Sequence, residues 1–204
     1  GLSLRNIGLT VFENNKKLYT DFGELLFTHF GVSGPLILSA SAHMRYFDKK
    51  QYRLEIDLKP ALDEQQLDKR LLSDFGKYAN HDFQNALDDL LPQKLIPVVV
   101  QLSEIPGRQK VHDLTREQRQ SLLRVLKHFP VEISAPCPVE DAIVTSGGVK
   151  IGEVDPKTME SKHVKGLFFA GELLDVDAYT GGFNLQIAWS TGYVAGLSAV
   201  DAAK

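Results

Sequence analysis

The chain has one cysteine in 204 residues, so no intrachain disulfide is possible. A reducing cytoplasm is the simplest location for such a protein. Long hydrophobic runs are missing too. The longest candidate, 95-LIPVVVQL-102, contains Pro97 and falls far short of the ~20 residues a membrane-crossing helix needs. Basic excess is absent: the net charge is −3, which argues against a nucleic-acid partner, since such partners call for a basic face. The first residues, 1-GLSLRNIGLTVFENN-15, lack the basic head and apolar middle of a signal peptide. They also lack an initiator Met and open as if in mid-strand, which reads as a fragment of something longer. No glycine-rich phosphate loop is present; the nearest run, 147-GGVKIG-152, has the wrong spacing. The six histidines show no metal-ligand spacing with Cys or carboxylates, so no metal is expected. His29, after a strand and before a glycine turn, is the most interesting of them and reads as structural. Cys137, between Pro136 and Pro138, has no evident His partner and does not read as a nucleophile.

What remains is an ordinary globular composition, 43% hydrophobic and 24% charged, and a chain this long buries roughly 70% of its unfolded surface. Four regions follow one another. Residues 1–59 read as mainly β. The runs 9-LTVF-12 and 17-KLYT-20 flank Asn14-Asn15, which tolerate positive φ, so a hairpin is expected. Pro35 suits the first turn of a short helix capped by Ser33 or Gly34. The stretch 51-QYRLEIDLK-59 alternates without a break and predicts a half-buried strand.

Residues 60–130 read as a helical subdomain. Asp63 with Gln66 and Thr115 with Gln118 form capping boxes. Stripes at Leu67, Leu71, Phe75, at Phe83, Ala86, Leu87, Leu90, and at Leu122, Val125, Leu126, Phe129 predict helices, the last one running to Pro130; a further helix is expected over 95–104. The stripes are core packing rather than a cofactor site. Residues 131–145 return to strands, with 140-EDAIVT-145 as one. In residues 146–204 the apolar run within 164-VKGLFFAGE-172 predicts a buried parallel strand.

Past that strand, Gly171 and Glu172 sit where ligands bind in open α/β sheets. The loop 173-LLDVDAYT-180 leads to Gly181-Gly182 and a helix starting near Phe183 or Asn184. The first amides of a helix have no internal partner and carry partial positive charge. Bare glycines before them admit an electron-rich or anionic group. The plainer alternative is a tight turn. Gly192 and Gly196, four apart, allow the helix to lie close against a strand layer.

The segment 145-TSGGVKIGEVDPKTMESKHVKGLFFAGELLDVDAYTGGFNLQIAWSTGYVAG-196 closely resembles the C-terminal signature of YhiN/BaiN-type flavoproteins, FAD-dependent oxidoreductases also described as aminoacetone-oxidase-like. The earlier 23-GELLFTHFGVSGPLILSASA-42 is similar to that family's inserted domain. The resemblance implies an α+β fold: a β-rich, barrel-like inserted domain with a helical subdomain, plus the C-terminal strand–helix part of a FAD-binding α/β domain of the two-dinucleotide-binding type. It implies FAD in a longer parent, with the diphosphate-binding half not represented here and this chain by itself flavin-free and inactive. By match to the family, Glu172 would accept a ribityl hydrogen bond, and Gly182, Phe183, Asn184 and Leu185 would approach the flavin pyrimidine ring, with Gly171 and Gly181 beside them. Thr145, Gly147 and Gly148 match a turn back towards the cofactor. Asp175, Asp177 and Tyr179 lie in the loop expected to flank the isoalloxazine and are candidates for substrate binding or acid–base work, or a solvated turn. The implied reaction is flavin redox chemistry, NAD(P)H-linked or of the oxidase type, on a small molecule, with homodimerisation possible. The rival expectation is a non-catalytic β/α module that binds a ligand or partner.

Overall fold

The computed structural model describes residues 1–203, which form two compact units. The first comprises Gly1–Ala40 and Tyr46–Ser134; the second comprises Ser41–Arg45 and the chain from Ala135 onward.

The first unit is built on a hairpin. Strands β1 (Leu2–Glu13) and β2 (Lys16–Phe27) meet at Asn14 and Asn15, whose φ values of 47° and 66° are those of a tight hairpin turn. Both strands extend well beyond the two short runs that predict them. Along β1 the buried side chains change parity, from Leu4 to Ile7, Leu9 and Val11, across a register shift that contains Asn6 at φ 54°. That is a bulge, which keeps one face of a long curved strand on the core. A two-residue strand β3 (Val32–Ser33) adds to β2, and Gly34, at φ 97°, leads into helix α1 (Pro35–Ser41). Strand β4 (Tyr52–Asp57) lies on the other side of β1, with Leu9 opposite Ile56 and Val11 opposite Leu54. Its alternation holds: Tyr52, Leu54 and Ile56 are buried, and the charged residues between them are partly exposed.

Helices follow. In α2 (Glu64–Lys77) the Asp63 carboxylate accepts the Gln66 N–H at 2.7 Å, and the Gln66 side chain accepts the Asp63 N–H at 3.0 Å. The stripe from Phe83 is a 3₁₀ turn over Phe83–Leu87 rather than an α-helix, and all its apolar residues through Leu91 are nonetheless buried. Helix α3 covers Ile96–Ser103, with Pro97 in its first turn. Helix α4 (Arg116–Lys127) carries the second capping box and packs on both α2 and α3. It stops at Lys127, because Phe129 already belongs to strand β5 (Phe129–Ile133), which pairs with β4 through Pro130. The sheet order is β3-β2-β1-β4-β5, antiparallel throughout. It curls as a half-barrel, and with the helices it makes an α+β unit.

The second unit is mostly irregular. The expected strand over 140–145 does not form; Val139–Asp141 is a 3₁₀ turn and the following residues have no ladder. Nor does a strand form over 164–172. Phe168 makes one isolated bridge to Glu160, and Gly171–Leu173 is a 3₁₀ turn. A parallel strand needs parallel neighbours for its N–H and C=O groups; among the described residues this run meets instead the short segment 159–161, whose Ser161 N–H donates to the Leu167 carbonyl at 2.7 Å and whose Met159 carbonyl accepts the Phe169 N–H at 3.0 Å. Among the described residues, the one parallel bridge in the unit joins Val149 to Leu174. Helix α5 (Phe183–Ala202) covers a small core of Val154, Met159, Leu174 and Ala195.

Candidate functional site

The loop that enters α5 is positioned by hydrogen bonds that the sequence does not announce. Asn184, in the first turn, folds its amide back on the chain: its Oδ1 accepts the Ala178 N–H at 2.7 Å and its Nδ2 donates to the Ala178 carbonyl at 2.9 Å. That pair mimics a strand pairing and fixes residues 177–179 against the helix start. Gly181 and Gly182 supply the sharp entry, at φ 120° and 89°. Gly182 is the N-cap, and no side chain caps the helix. The first-turn amides of Phe183, Asn184 and Leu185 therefore have neither an intrahelical partner nor a cap. A Cβ built on Gly182 would have nothing within 4 Å, so the space before those amides is open.

Behind the loop, Gly148 lies close to the segment after Gly171. The Val149 N–H donates to the Leu173 carbonyl and the Asp175 N–H to the Val149 carbonyl, both at 2.8 Å. A Cβ on Gly148 would stand 2.5 Å from the Leu173 oxygen, and its φ is 141°. Glycine is required there by backbone contact. Gly171, at φ 65°, donates its N–H to Thr191 Oγ1 at 2.9 Å, which ties the 3₁₀ turn to the middle of α5. Thr191, missed in the sequence, is thus a positioning residue. Glu172 is exposed on that turn, with no hydrogen bond or ion pair among the described residues. Thr145 and Gly147 are exposed in the preceding loop, and a Cβ built on Gly147 would have nothing within 4 Å.

The loop also borders an open cleft of about 740 Å³, lined by Ala42, His43, Arg45, Asp177, Ala178, Tyr179, Phe183, Gln186 and Ile187. Two contacts cross it. The Tyr179 hydroxyl lies 3.0 Å from His43 Nε2, and Arg45 Nη2 lies 3.5 Å from Asp177 Oδ1. Arg45 is steadied by a 2.9 Å bond from its Nε to the Ala42 carbonyl. Asp177 and Tyr179 thus share one site, whereas Asp175 is exposed and takes part through its backbone. His43 and Arg45 were not singled out in the sequence, being more than 130 positions from their partners. Their alternation just after α1 is the one available signal. His29, by contrast, only stacks edge-on against Phe30. Among the described residues no cluster of His, Cys, Asp or Glu is placed to hold a metal ion.

A half-barrel sheet with a helical insertion, followed by a glycine-led helix whose bare amides face open space, defines an α+β protein with an open loop at the start of its last helix. Residues 1–144 match the family model described as HI0933-like protein barrel and H2TH domain. The chain belongs to this family, the one the YhiN/BaiN-type resemblance names. It is 35% identical over 186 residues to a 3-dehydro-bile acid delta(4,6)-reductase of Clostridium scindens, covering 90% of this chain and 46% of that protein. It is 33% identical to a ribosomal RNA dihydrouridine synthase of Escherichia coli, covering 90% of this chain and 42% of that protein. A ribosomal RNA dihydrouridine synthase of Haemophilus influenzae is 32% identical, with 87% and 42% covered. The chain thus spans less than half the length of the curated relatives it matches.

Proposed function

We propose that this chain supplies the barrel, the helical subdomain and the flavin-facing C-terminal segment of an FAD-dependent oxidoreductase that reduces a carbon–carbon double bond. Family membership supports the oxidoreductase class over a non-catalytic binding module. Two printed activities support the narrower chemistry, for a delta(4,6)-reductase and a dihydrouridine synthase both saturate such a bond.

The residues present fit the edge of a flavin. Gly182 leaves open space before uncapped amides, and an electron-rich ring edge is what such amides attract. Gly181 and Gly182 would admit the ring, the amides of Phe183, Asn184 and Leu185 would face its pyrimidine side, and Glu172, with no partner among the described residues, would accept from the ribityl hydroxyls. Thr145, Gly147 and Gly148 would close the turn behind it. A bound flavin would supply the hydride, and amide dipoles at its pyrimidine edge would favour the reduced, anionic ring. A reduced nicotinamide as electron source, a small-molecule substrate and a cytoplasmic location belong to the same proposal. The net charge of −3 favours a small molecule over RNA. No helix among the described residues is long and apolar enough to cross a membrane.

The open, uncapped start of α5 is the observation that carries the reading. It is tested in a polypeptide of the relatives' length that carries this chain. Gly182→Val and Glu172→Ala should lower the FAD bound per protein, Gly182→Val the more severely, because a branched side chain fills the approach and is strained at φ 89°. Removing the ribityl acceptor costs about 1–3 kcal/mol if the bond is desolvated. Asp177→Ala should leave FAD content intact. Full occupancy in Gly182→Val would reduce the glycine pair to a turn.

A further inference from the structure

Strand β2 has an edge that its own sheet leaves open. In the order β3-β2-β1-β4-β5 its outer neighbour is β3, which pairs only with Leu26 and Phe27. Among the described residues, positions 16–25 have no strand on that side. The Thr28 N–H donates to the Gly31 carbonyl at 2.8 Å across the turn to β3, and alternate residues of an antiparallel strand point their backbone groups to the same edge. Those of Leu26, Glu24, Phe22 and Thr20 therefore point outward. The Phe22 N–H agrees with this direction: it donates to the adjacent Asp21 carboxylate at 2.8 Å. An open edge of this length is a template for a further strand. Its charges are of both signs and stand at opposite ends, Lys16 and Lys17 at one and Glu24 at the other. Between them Leu18 and Phe22 are 38% and 58% exposed.

We propose that this edge pairs with the same edge of a second copy of the chain, antiparallel about a two-fold axis at Thr20. A two-fold contact is self-complementary, each residue meeting its counterpart across the axis. With Thr20 opposite Thr20, Leu18 meets Phe22, Tyr19 meets Asp21, and the lysine end meets Glu24. Apolar, hydroxyl and opposite-charge partners are the favourable cross-strand pairs. The register shift between Lys17 and Tyr19 changes which lysine stands opposite Glu24, not the sign of the pair. The present contact of Glu24 with Arg5, at 3.4 Å, is exposed and leaves the carboxylate available. An axis at Phe22 would set a second copy's Leu18 against Leu26, where β3 already lies. An axis at Leu18 would set Phe22 against Asn14, in the hairpin turn. The axis at Thr20 is the one that uses the free edge from end to end. The contact is short and must take the Phe22 N–H from Asp21, so it belongs to the weak, transient class. It is independent of the reductase reading.

A weak pairing is read by trapping rather than by mass. The experiment uses the 204-residue chain with its exposed cysteine removed by Cys137→Ser. Thr20→Cys then puts a thiol on the axis, facing its own counterpart at about 5.5 Å between Cα atoms, within reach of a disulfide. Mild oxidation at high protein concentration should trap a covalent dimer. Leu18→Cys, four residues out of register with its counterpart, or roughly 13 Å along the strand, should trap far less. A mixture of Leu18→Cys and Phe22→Cys chains should trap the mixed dimer. Lys16→Glu with Lys17→Glu should cut the Thr20→Cys yield about two- to five-fold, and adding Glu24→Lys to the same chain should restore it. Leu185→Gln with Tyr193→Ser, on the exposed face of α5, should leave the yield unchanged. All these positions are exposed, and circular dichroism checks that each variant is folded. A Thr20→Cys yield no higher than that of Leu18→Cys overturns the proposal. So does a yield that ignores the charge reversal, or one that Glu24→Lys fails to restore.

Discussion

At the scale of single residues, two glycines that look alike in the sequence have different work. Gly148 has backbone against it: a Cβ would lie 2.5 Å from the Leu173 oxygen. Gly182 has nothing within 4 Å. Gly148→Ala should therefore break the Val149–Leu174 bridge, costing about 2–3 kcal/mol through collision and strain at positive φ. Gly182→Ala should cost roughly 1 kcal/mol of backbone strain alone. Amide exchange at Val149 and Asp175 checks this: protection should collapse in the first variant and persist in the second. Glu55 carries a pH dependence of its own. Partial burial pushes its carboxyl up, but the bond from Arg53 at 2.5 Å and the contact with His128 at 2.9 Å outweigh this and hold it below the usual carboxylate range. A carboxylate depressed in the folded state adds stability that is complete above its unfolded value, about 4.3, and is lost as pH falls through the folded value. Glu55→Gln should accordingly flatten the acid limb of stability below about pH 4.5, read as urea midpoint against pH. An unchanged acid limb would count against the pairing.

At the scale of elements, the capped helices and the alternating strand were legible because their signals are local. A capping box spans four residues and the alternation of β4 only six. What the sequence could not show depends on neighbours. The run 167-LFFA-170 has the composition of a buried parallel strand, but with no strand beside it among the described residues it makes one bridge at Phe168. Helix α4 ends at Lys127, short of Pro130, and the sequence extends it too far because Phe129 continues its apolar stripe, although that side chain is buried as the first residue of β5. The pairs His43–Tyr179 and Arg45–Asp177 join positions far apart in the chain, so no local pattern revealed them. Lys127 shows how elements are fastened. From the last turn of α4 its Nζ reaches the Asp57 carboxylate at 2.5 Å, the Leu62 carbonyl at 2.8 Å and the Lys59 carbonyl at 3.3 Å, with the side chain only 13% exposed. Lys127→Met leaves a carboxylate and two carbonyls without their cation. It should cost about 2–3 kcal/mol in urea unfolding; a loss under 0.5 kcal/mol would show these contacts to be incidental.

At the scale of the whole molecule, the feature that stands out is the outer face of α5. Leu185, Trp189 and Tyr193 recur every fourth residue, as do Gly192, Gly196 and Val200, and all six fall on one face. Trp189 and Tyr193 are 67% and 69% exposed, and nothing lies within 4 Å of a Cβ built on either glycine. The opposite side of the helix already covers the small core through Ala195. A contiguous apolar stripe of this length favours association over exposure to water, and its two glycines let another backbone come close. The chain in isolation should therefore self-associate through this face, most simply as a homodimer. Trp189 is the only tryptophan in the sequence, so its fluorescence reports on this face and nothing else. Its emission should shift to longer wavelength on dilution, in step with a fall in mass by sedimentation equilibrium. Leu185→Gln with Tyr193→Ser, both at exposed positions, should hold the chain monomeric at concentrations where the parent sequence is not, while leaving the circular dichroism of the fold unchanged. A monomeric mass with solvent-exposed, concentration-independent emission at high concentration would mean that water covers the stripe, and the association would be abandoned.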